Sequence, residues 1–275
     1  MKKVVLVTGI SSGFGKQIAH LLAKEGLTVY GTIRKDCGTS DLVNVLKMDL
    51  TDIESIKRTV ETIHRKEGRI DVLINNAGMH TGGPIETTPV ENIMLQMDTS
   101  FLGTVLLTRE VLPLMRKQGS GTIINFSSIG GLMGLPLQAF YSSSKFAVEG
   151  FSEALRMEVR AFNIKVIVIN PGDFHTSNSA NRRNFLAPTG QEDPYRDQYK
   201  KTLAIIEKDE SNGWSPEVLA RKVVKIVKCK NPHPRYIIST LEQKFAVILK
   251  NILPAGWFMK ILASHYGIHA RSPHS

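Results

Sequence analysis

Six short segments of this chain are apolar almost from end to end: KVVLVTG (3–9), LTVYGTI (27–33), VLKMD (45–49), IDVLINNAG (70–78), GTIINFSS (121–128) and IKVIVINPG (164–172). Runs this short that do not alternate with polar residues fit strands buried on both faces. Between them stand stretches with helical spacing of apolar residues, near 13–25, 52–67, 99–118 and 139–162. Gly26 and Gly68 follow two of these, where a left-handed residue can end a helix. Such alternation predicts an α/β fold, a doubly wound parallel sheet of Rossmann type, with RYIIS (235–239) as a late addition. No repeat or low-complexity tract divides the chain, so a single domain over 1–275 is expected.

The rhythm breaks over 173–214, a polar stretch containing NSANRRNF and PTGQEDPYRDQY. It starts where a strand ends, which is where open α/β sheets bind ligands, so it reads as a substrate lid. A helix then opens at SPEVLARKVVKIV, with Ser215 as N-cap, Pro216 at the first position and Glu217 in the first turn. The C-terminal extension (240–275) holds KFAVILKNILPAGWFMKIL (244–262), amphipathic and aromatic-bearing. It suits a pocket cover or a subunit interface first, and a peripheral membrane contact second.

The net charge of +10 is spread along the chain and forms no dense basic block, which argues against nucleic acid as a partner. Two cysteines, Cys37 and Cys229, make neither a disulfide framework nor a metal set. The apolar run in MKKVVLVTGI is too short for a signal peptide and turns at once into glycines, so a cytoplasmic location is expected.

Two stretches carry chemistry. In VLVTGISSGFG (5–15), Gly9, Gly13 and Gly15 join the first strand to the first helix. Glycines let a backbone approach a pyrophosphate, the helix N-terminus meets its charge, and Ser11 and Ser12 add hydroxyl donors. In AFYSSSKFAVEG (139–150), Tyr141 and Lys145 lie four apart, on one helix face. A nearby ammonium favours a phenolate and lowers a pKa that is ordinarily near 10. Taken alone, such a pair reads more simply as amphipathic surface.

The motifs do not stand alone. Thr8-Gly9-x-x-x-Gly13-x-Gly15, NNAG (75–78), SS (127–128), Tyr141-x-x-x-Lys145 and NPG (170–172) resemble, in order and spacing, the short-chain dehydrogenase/reductase family. The resemblance implies an oxidoreductase that interconverts a carbonyl and a secondary alcohol. Tyr141 would be its general acid/base, Lys145 would tune that phenol and reach the nicotinamide ribose, and Ser128 rather than Ser127 would hold the substrate oxygen. Cofactor contacts would come from Gly9, Ser11, Ser12, Gly13, Phe14 and Gly15, from Asp49 and Leu50, from Asn76 and Ala77, from Asn75 and Gly78 on the adenine-ribose side, from Tyr141 and Lys145, and from Pro171, Gly172 and Thr176. Relatives that prefer NAD carry an acid at the end of the second strand. Here Ile33 takes that place and Arg34 follows, which suits a 2′-phosphate and implies NADP(H). One position departs from the family: in Asp98-Thr99-Ser100-Phe101-Leu102-Gly103, Ser100 stands where relatives carry an asparagine that holds a proton-relay water.

GGLMGLP (130–136) and PGDFHT (171–176) are similar to the 17β-hydroxysteroid dehydrogenase-like branch, which implies a lipophilic carbonyl such as a steroid or retinoid. His80, Met133, Phe174 and His175 are then candidate substrate contacts, with Met79, Leu132 and Leu135 beside them. SKFAVEGFSEALRMEV (144–159) is also similar to 3-ketosphinganine reductases, which makes a long-chain ketolipid the alternative. A non-catalytic NADPH-binding sensor is the rival class. Relatives pair through the helices expected at 99–118 and 139–162, which implies a homodimer or homotetramer.

Overall fold

A computed structural model describes residues 2–35, 42–175, 183–185 and 193–268. Among the described residues seven strands form one parallel sheet. They are β1 (Val4–Thr8), β2 (Thr28–Ile33), β3 (Asn44–Lys47), β4 (Val72–Asn75), β6 (Gly121–Phe126), β7 (Ile164–Pro171) and β9 (Arg235–Ile238), in the order β3-β2-β1-β4-β6-β7-β9. The two-residue strands β5 (Thr81–Gly82) and β8 (Arg183–Asn184) pair with each other outside it. Every residue of β1 and β4 is buried, as their apolar runs up to Thr8 and Asn75 lead one to expect. The order reverses between β1 and β4, and a crevice opens there at the strands' carboxyl ends.

Helices cover both faces of the sheet: α1 (Gly13–Lys24), α2 (Ile53–Glu67), α3 (Val90–Met97), α4 (Gly103–Gln118), α5 (Ala139–Glu158), α6 (Arg196–Ser211) and α7 (Pro216–Lys228). One core lies under α1 and α7, around Ile18, Leu22, Leu219 and Val223. The other lies under α2, α4 and α5, around Ile56, Leu107, Val111 and Leu155. Local signals set the ends. Asp52 caps α2 by accepting from the Glu54 N–H, and Gly68 closes it at φ +72°. A third, small cluster of Met133, Val247 and Phe258 fixes α8 (Leu241–Ile252) and α9 (Ala255–His265).

Three elements differ from the sequence expectation. The helix expected at 99–118 begins at Val90 and runs through a π-turn, Asp98–Leu102, into α4. That turn holds an extra residue and rotates the apolar phase by about 100°, so the periodicity is cut in the middle of a continuous helix. The strand expected at 70–78 ends at Asn75, because Asn76 and Ala77 turn to bond Thr8. The stretch expected as a lid, 173–214, contains the regular helix α6. No described helix is long and apolar enough to cross a membrane. Cys229 is an exposed thiol, whereas Cys37 and Thr176 lie outside the described residues.

Candidate active site

A cleft of about 570 Å³ occupies the crevice. Its floor is the Gly-rich turn. Gly9 takes φ +71°, and a Cβ there would stand 2.9 Å from Ala77 Cα, so only glycine lets this turn press on the NNAG loop. Thr8 locks the two together: its Oγ1 accepts from the Asn76 and Ala77 N–H groups at 3.0 and 2.9 Å. Asn76 Nδ2 donates back to the Thr8 and Gly9 carbonyls at 2.8 and 3.1 Å. At the start of α1, Ser12 makes no side-chain cap, and a Cβ on Gly13 would meet no described atom within 4 Å. The first-turn N–H groups and the space before them fit a bulky anion such as a pyrophosphate.

Arg34 and Asp49 line the other end of the cleft. Burial alone would raise the Asp49 carboxyl. The Thr51 N–H and hydroxyl, at 2.9 and 2.8 Å, and the charge of Arg34 hold it below its ordinary value instead. Leu50 follows Asp49 on that side, whereas Pro171 and Gly172 line the cleft at the end of β7, three strands beyond β1.

Tyr141, Lys145 and Ser128 converge at the inner end. A Cβ on Gly130 would lie 3.2 Å from Tyr141 Cε1 and 3.5 Å from Ser128 Oγ, so ring and hydroxyl meet about that glycine. Ser128 Oγ also accepts from the Gly130 N–H at 3.0 Å. Ser127 instead turns its hydroxyl to the Lys145 carbonyl at 3.3 Å. Lys145 is buried; its Nζ donates to the Phe126 carbonyl at 2.9 Å and stands 5.8 Å from the Tyr141 ring centre. Burial pushes this amine down to about 8, against the opposing pull of Glu149.

A ladder of buried amides and hydroxyls fixes α5, the helix carrying Tyr141 and Lys145, against the sheet. Asn75 Nδ2 donates to Thr108 Oγ1 at 3.0 Å and to Asn125 Oδ1 at 2.8 Å. Asn125 Nδ2 donates to Ser152 Oγ on α5 at 2.9 Å. Asn170 Nδ2 reaches Glu149 Oε1 on α5 at 2.6 Å and the Ser128 carbonyl at 3.0 Å.

Ser100 sits within the π-turn, almost wholly buried. A Cβ on Gly78 would lie 3.4 Å from Ser100 Oγ and 3.6 Å from Lys145 Nζ, so hydroxyl and ammonium flank the same glycine. Ser100 Oγ accepts from the Met79 N–H at 3.1 Å and from Gln96 Nε2 at 2.9 Å. Gln96, one helical turn earlier, supplies an amide where Ser100 has none. Sequence reasoning passed over Gln96, and its only signal there was the four-residue spacing to Ser100.

The candidate substrate residues divide. His80 lines the cleft, stacks on Tyr141 at 4.1 Å between ring centres and bonds Gln138 Oε1 at 2.6 Å. Phe174 reaches the cleft wall but is buried edge-on against Phe14 at 5.0 Å. Met133 is not a cleft residue; it fills the small core beneath α8 and α9. His175 is exposed and also stands off the cleft wall, its N–H on the Trp214 carbonyl. Asp173, with Asp209 and Glu210 from α6, forms an acidic edge of the cleft that no local motif announced.

A doubly wound sheet with an anion-ready Gly-rich turn at its switch point defines a dinucleotide-binding enzyme. The short chain dehydrogenase family model matches residues 3–187. The chain is 47% identical to a 3-ketodihydrosphingosine reductase of Bacteroides thetaiotaomicron over 266 residues, 97% of this chain and 98% of the relative. A crystal structure of a short-chain dehydrogenase from Streptomyces avermitilis superposes with TM-score 0.79 at 29% identity, covering 96% of this chain and 94% of that one. The closed form of a serine dehydrogenase complexed with NADP+ superposes with TM-score 0.74 at 25% identity, covering 87% and 95%. The chain belongs to the short-chain dehydrogenase/reductase family and is an oxidoreductase.

Proposed function

We propose that this enzyme is an NADPH-dependent reductase of a long-chain ketolipid of the 3-ketodihydrosphingosine type. The end-to-end likeness to the Bacteroides reductase carries this reading. It favours the ketolipid over the steroid or retinoid that the 17β-hydroxysteroid dehydrogenase-like motifs suggested. NADP(H) is supported by the NADP+-bound relative and by Arg34 at the cleft edge, where a guanidinium can pair with a 2′-phosphate.

When bound, NADPH supplies the hydride chemistry. The chain supplies the rest. The Gly-rich turn and α1 would hold the pyrophosphate, and Lys145 the nicotinamide ribose. Ser128 donates to the carbonyl oxygen and orients it toward the Tyr141 phenol. Tyr141 gives that oxygen its proton as charge develops there. Lys145, buried and still an ammonium at neutral pH, stabilises the phenolate left behind. Ser100, held in place by Gln96, stands across Gly78 from Lys145 and would serve the route by which the proton given up by Tyr141 is replaced. A cytoplasmic homo-oligomer paired through α4 and α5 completes the proposal.

The test is NADPH oxidation by the purified protein with 3-ketodihydrosphingosine, a 17-ketosteroid and a retinal offered side by side. The ketolipid should give the highest kcat/KM. A faster steroid would restore the other branch, and tight NADPH binding with no oxidation on any substrate would favour a sensor.

A further inference from the structure

α8 and α9 each have a used face and an unused one. Inward, Val247 and Phe258 are buried on Met133, with Leu249, Leu253 and Leu262 around them. Outward, Leu241, Phe245, Ile248 and Ile252 are 84, 57, 53 and 67% exposed. Their spacings of four, three and four keep them within about 60° of one another on a helix of 3.6 residues per turn. Pro254 breaks the helix, and the exposed apolar series resumes with Trp257 (68%) and Ile261, four apart on α9. Scattered apolar residues on a surface need no account, but an exposed apolar series on each of two consecutive helices does. From Leu241 to His265 there are three lysines, Lys244, Lys250 and Lys260, and one acidic residue, Glu242.

We propose that this outer face of α8 and α9 docks the enzyme on an anionic lipid surface. An apolar stripe with an indole, flanked by Lys244 and Lys260 against the single carboxylate of Glu242, matches a bilayer interface carrying negative headgroups. A second copy of the chain would bring the same lysines against themselves, a poorer match in charge. The position also serves the site. Ile129 and Leu135 pack in the cluster under these helices and line the cleft, and Tyr266, just past α9, lines it too. The helices that carry the docked face thus cover a wall of the cleft with their inner side. A lipid ketone could pass from the bilayer to Tyr141 without its tail crossing water, a benefit that rests on the ketolipid reading.

The docking is measured without substrate. The full chain is sedimented with vesicles of phosphatidylcholine containing phosphatidylglycerol, and with vesicles of phosphatidylcholine alone. The parent should pellet with the anionic vesicles, and its Trp257 emission should shift to shorter wavelength. The triple variant Phe245→Ser, Ile252→Ser, Trp257→Ser should bind at least about tenfold more weakly. It should keep its melting temperature and its turnover of a water-soluble short-chain ketone. Lys244→Glu with Lys260→Glu should lose the preference for anionic vesicles. Equal pelleting of parent and triple variant would overturn the proposal, as would no pelleting of either. A triple variant that elutes as a smaller oligomer would assign the face to a contact between copies instead. Vesicle binding by an enzyme that ignores 3-ketodihydrosphingosine would sink the substrate reading and leave the docking standing.

Discussion

Gln96→Leu should destabilise the enzyme by about 2–4 kcal/mol while leaving its volume nearly unchanged. Gln96 is fully buried. Its Oε1 accepts from the Thr81 N–H at 2.9 Å, and its Nε2 reaches the Met79 carbonyl, Ser100 Oγ and Ser144 Oγ at 3.1, 2.9 and 3.1 Å. Leucine strands the Thr81 N–H, at a cost of about 1–3 kcal/mol for a buried donor. The Met79 carbonyl keeps only the 3.4 Å contact from Ser100, which adds roughly another 1 kcal/mol. Ser144 loses little, since its hydroxyl already donates to the Tyr141 carbonyl at 2.7 Å. Ser100 would keep the Met79 N–H but lose the amide that fixes it beside Lys145. Urea denaturation measures the first effect. Steady-state kinetics measures the second: kcat should fall by roughly 10–100-fold, with the NADPH dissociation constant changed less than about threefold. Gln96→Glu keeps the acceptor for Thr81 but not the donor, so it should recover part of the stability and little of the turnover. A leucine variant within about 0.5 kcal/mol of the parent, or one with parental kcat, would refute this account of the amide.

Tyr141→Phe should lower kcat by about 10³-fold or more while isothermal titration still detects NADPH binding; retained turnover would remove the mechanism. Arg34→Ala should weaken NADPH selectively over NADH, and equal weakening of both would show that Arg34 does not read the 2′-phosphate. Reductive turnover should decline as pH passes about 8, where buried Lys145 loses the proton that makes it a cation; a flat profile up to about pH 10, the range of an unperturbed lysine, would separate Lys145 from the rate. Burial, then the charges of Asp209 and Glu210, raise the Asp173 carboxyl from 3.8 to about 6. The folded state therefore holds that proton more tightly than the unfolded chain, and stability is lost as pH rises through this window. Asp173→Asn should raise stability at pH 8 by up to about 3 kcal/mol, roughly two pK units at 1.4 kcal/mol each, and the gain should vanish near pH 4. Melting curves with the same gain at both pH values would place its origin elsewhere.

How much of this could be read in advance depended on how local the cause was. The strands were legible because β1, β4 and β7 are buried almost from end to end and so carry few polar residues. The turn, the Tyr–Lys pair and Ser128 were legible because a helix or strand end fixes their spacing over a few residues. α3 was not, since its apolar Val90 and Met94 face outward and its one buried residue is the polar Gln96. The acidic edge was not either: Asp173 and Asp209 reach one cleft from positions 36 residues apart, with no period linking them. Met133 fits a substrate-contact pattern, but a small core claimed it because α8 and α9 fold back over it.

The amide and hydroxyl ladder beneath α5 bears on how this fold can be recombined. Asn75, Asn125 and Asn170 come from three different strands, and Ser152 and Glu149 from the helix they hold. The angular setting of Tyr141 and Lys145 is thus written into partners scattered over about a hundred positions of chain. A graft that brings α5 from another scaffold with its reactive residues, and leaves these partners behind, would bury unmatched polar groups and let the helix turn on its axis. After β7, β9 shares that burden through Arg235, whose guanidinium pairs with Glu149 at 2.6 Å, whereas among the described residues α6, α8 and α9 make no bond to the ladder. Those three helices can be exchanged wholesale to change what enters the cleft, while the chemistry beneath keeps its alignment.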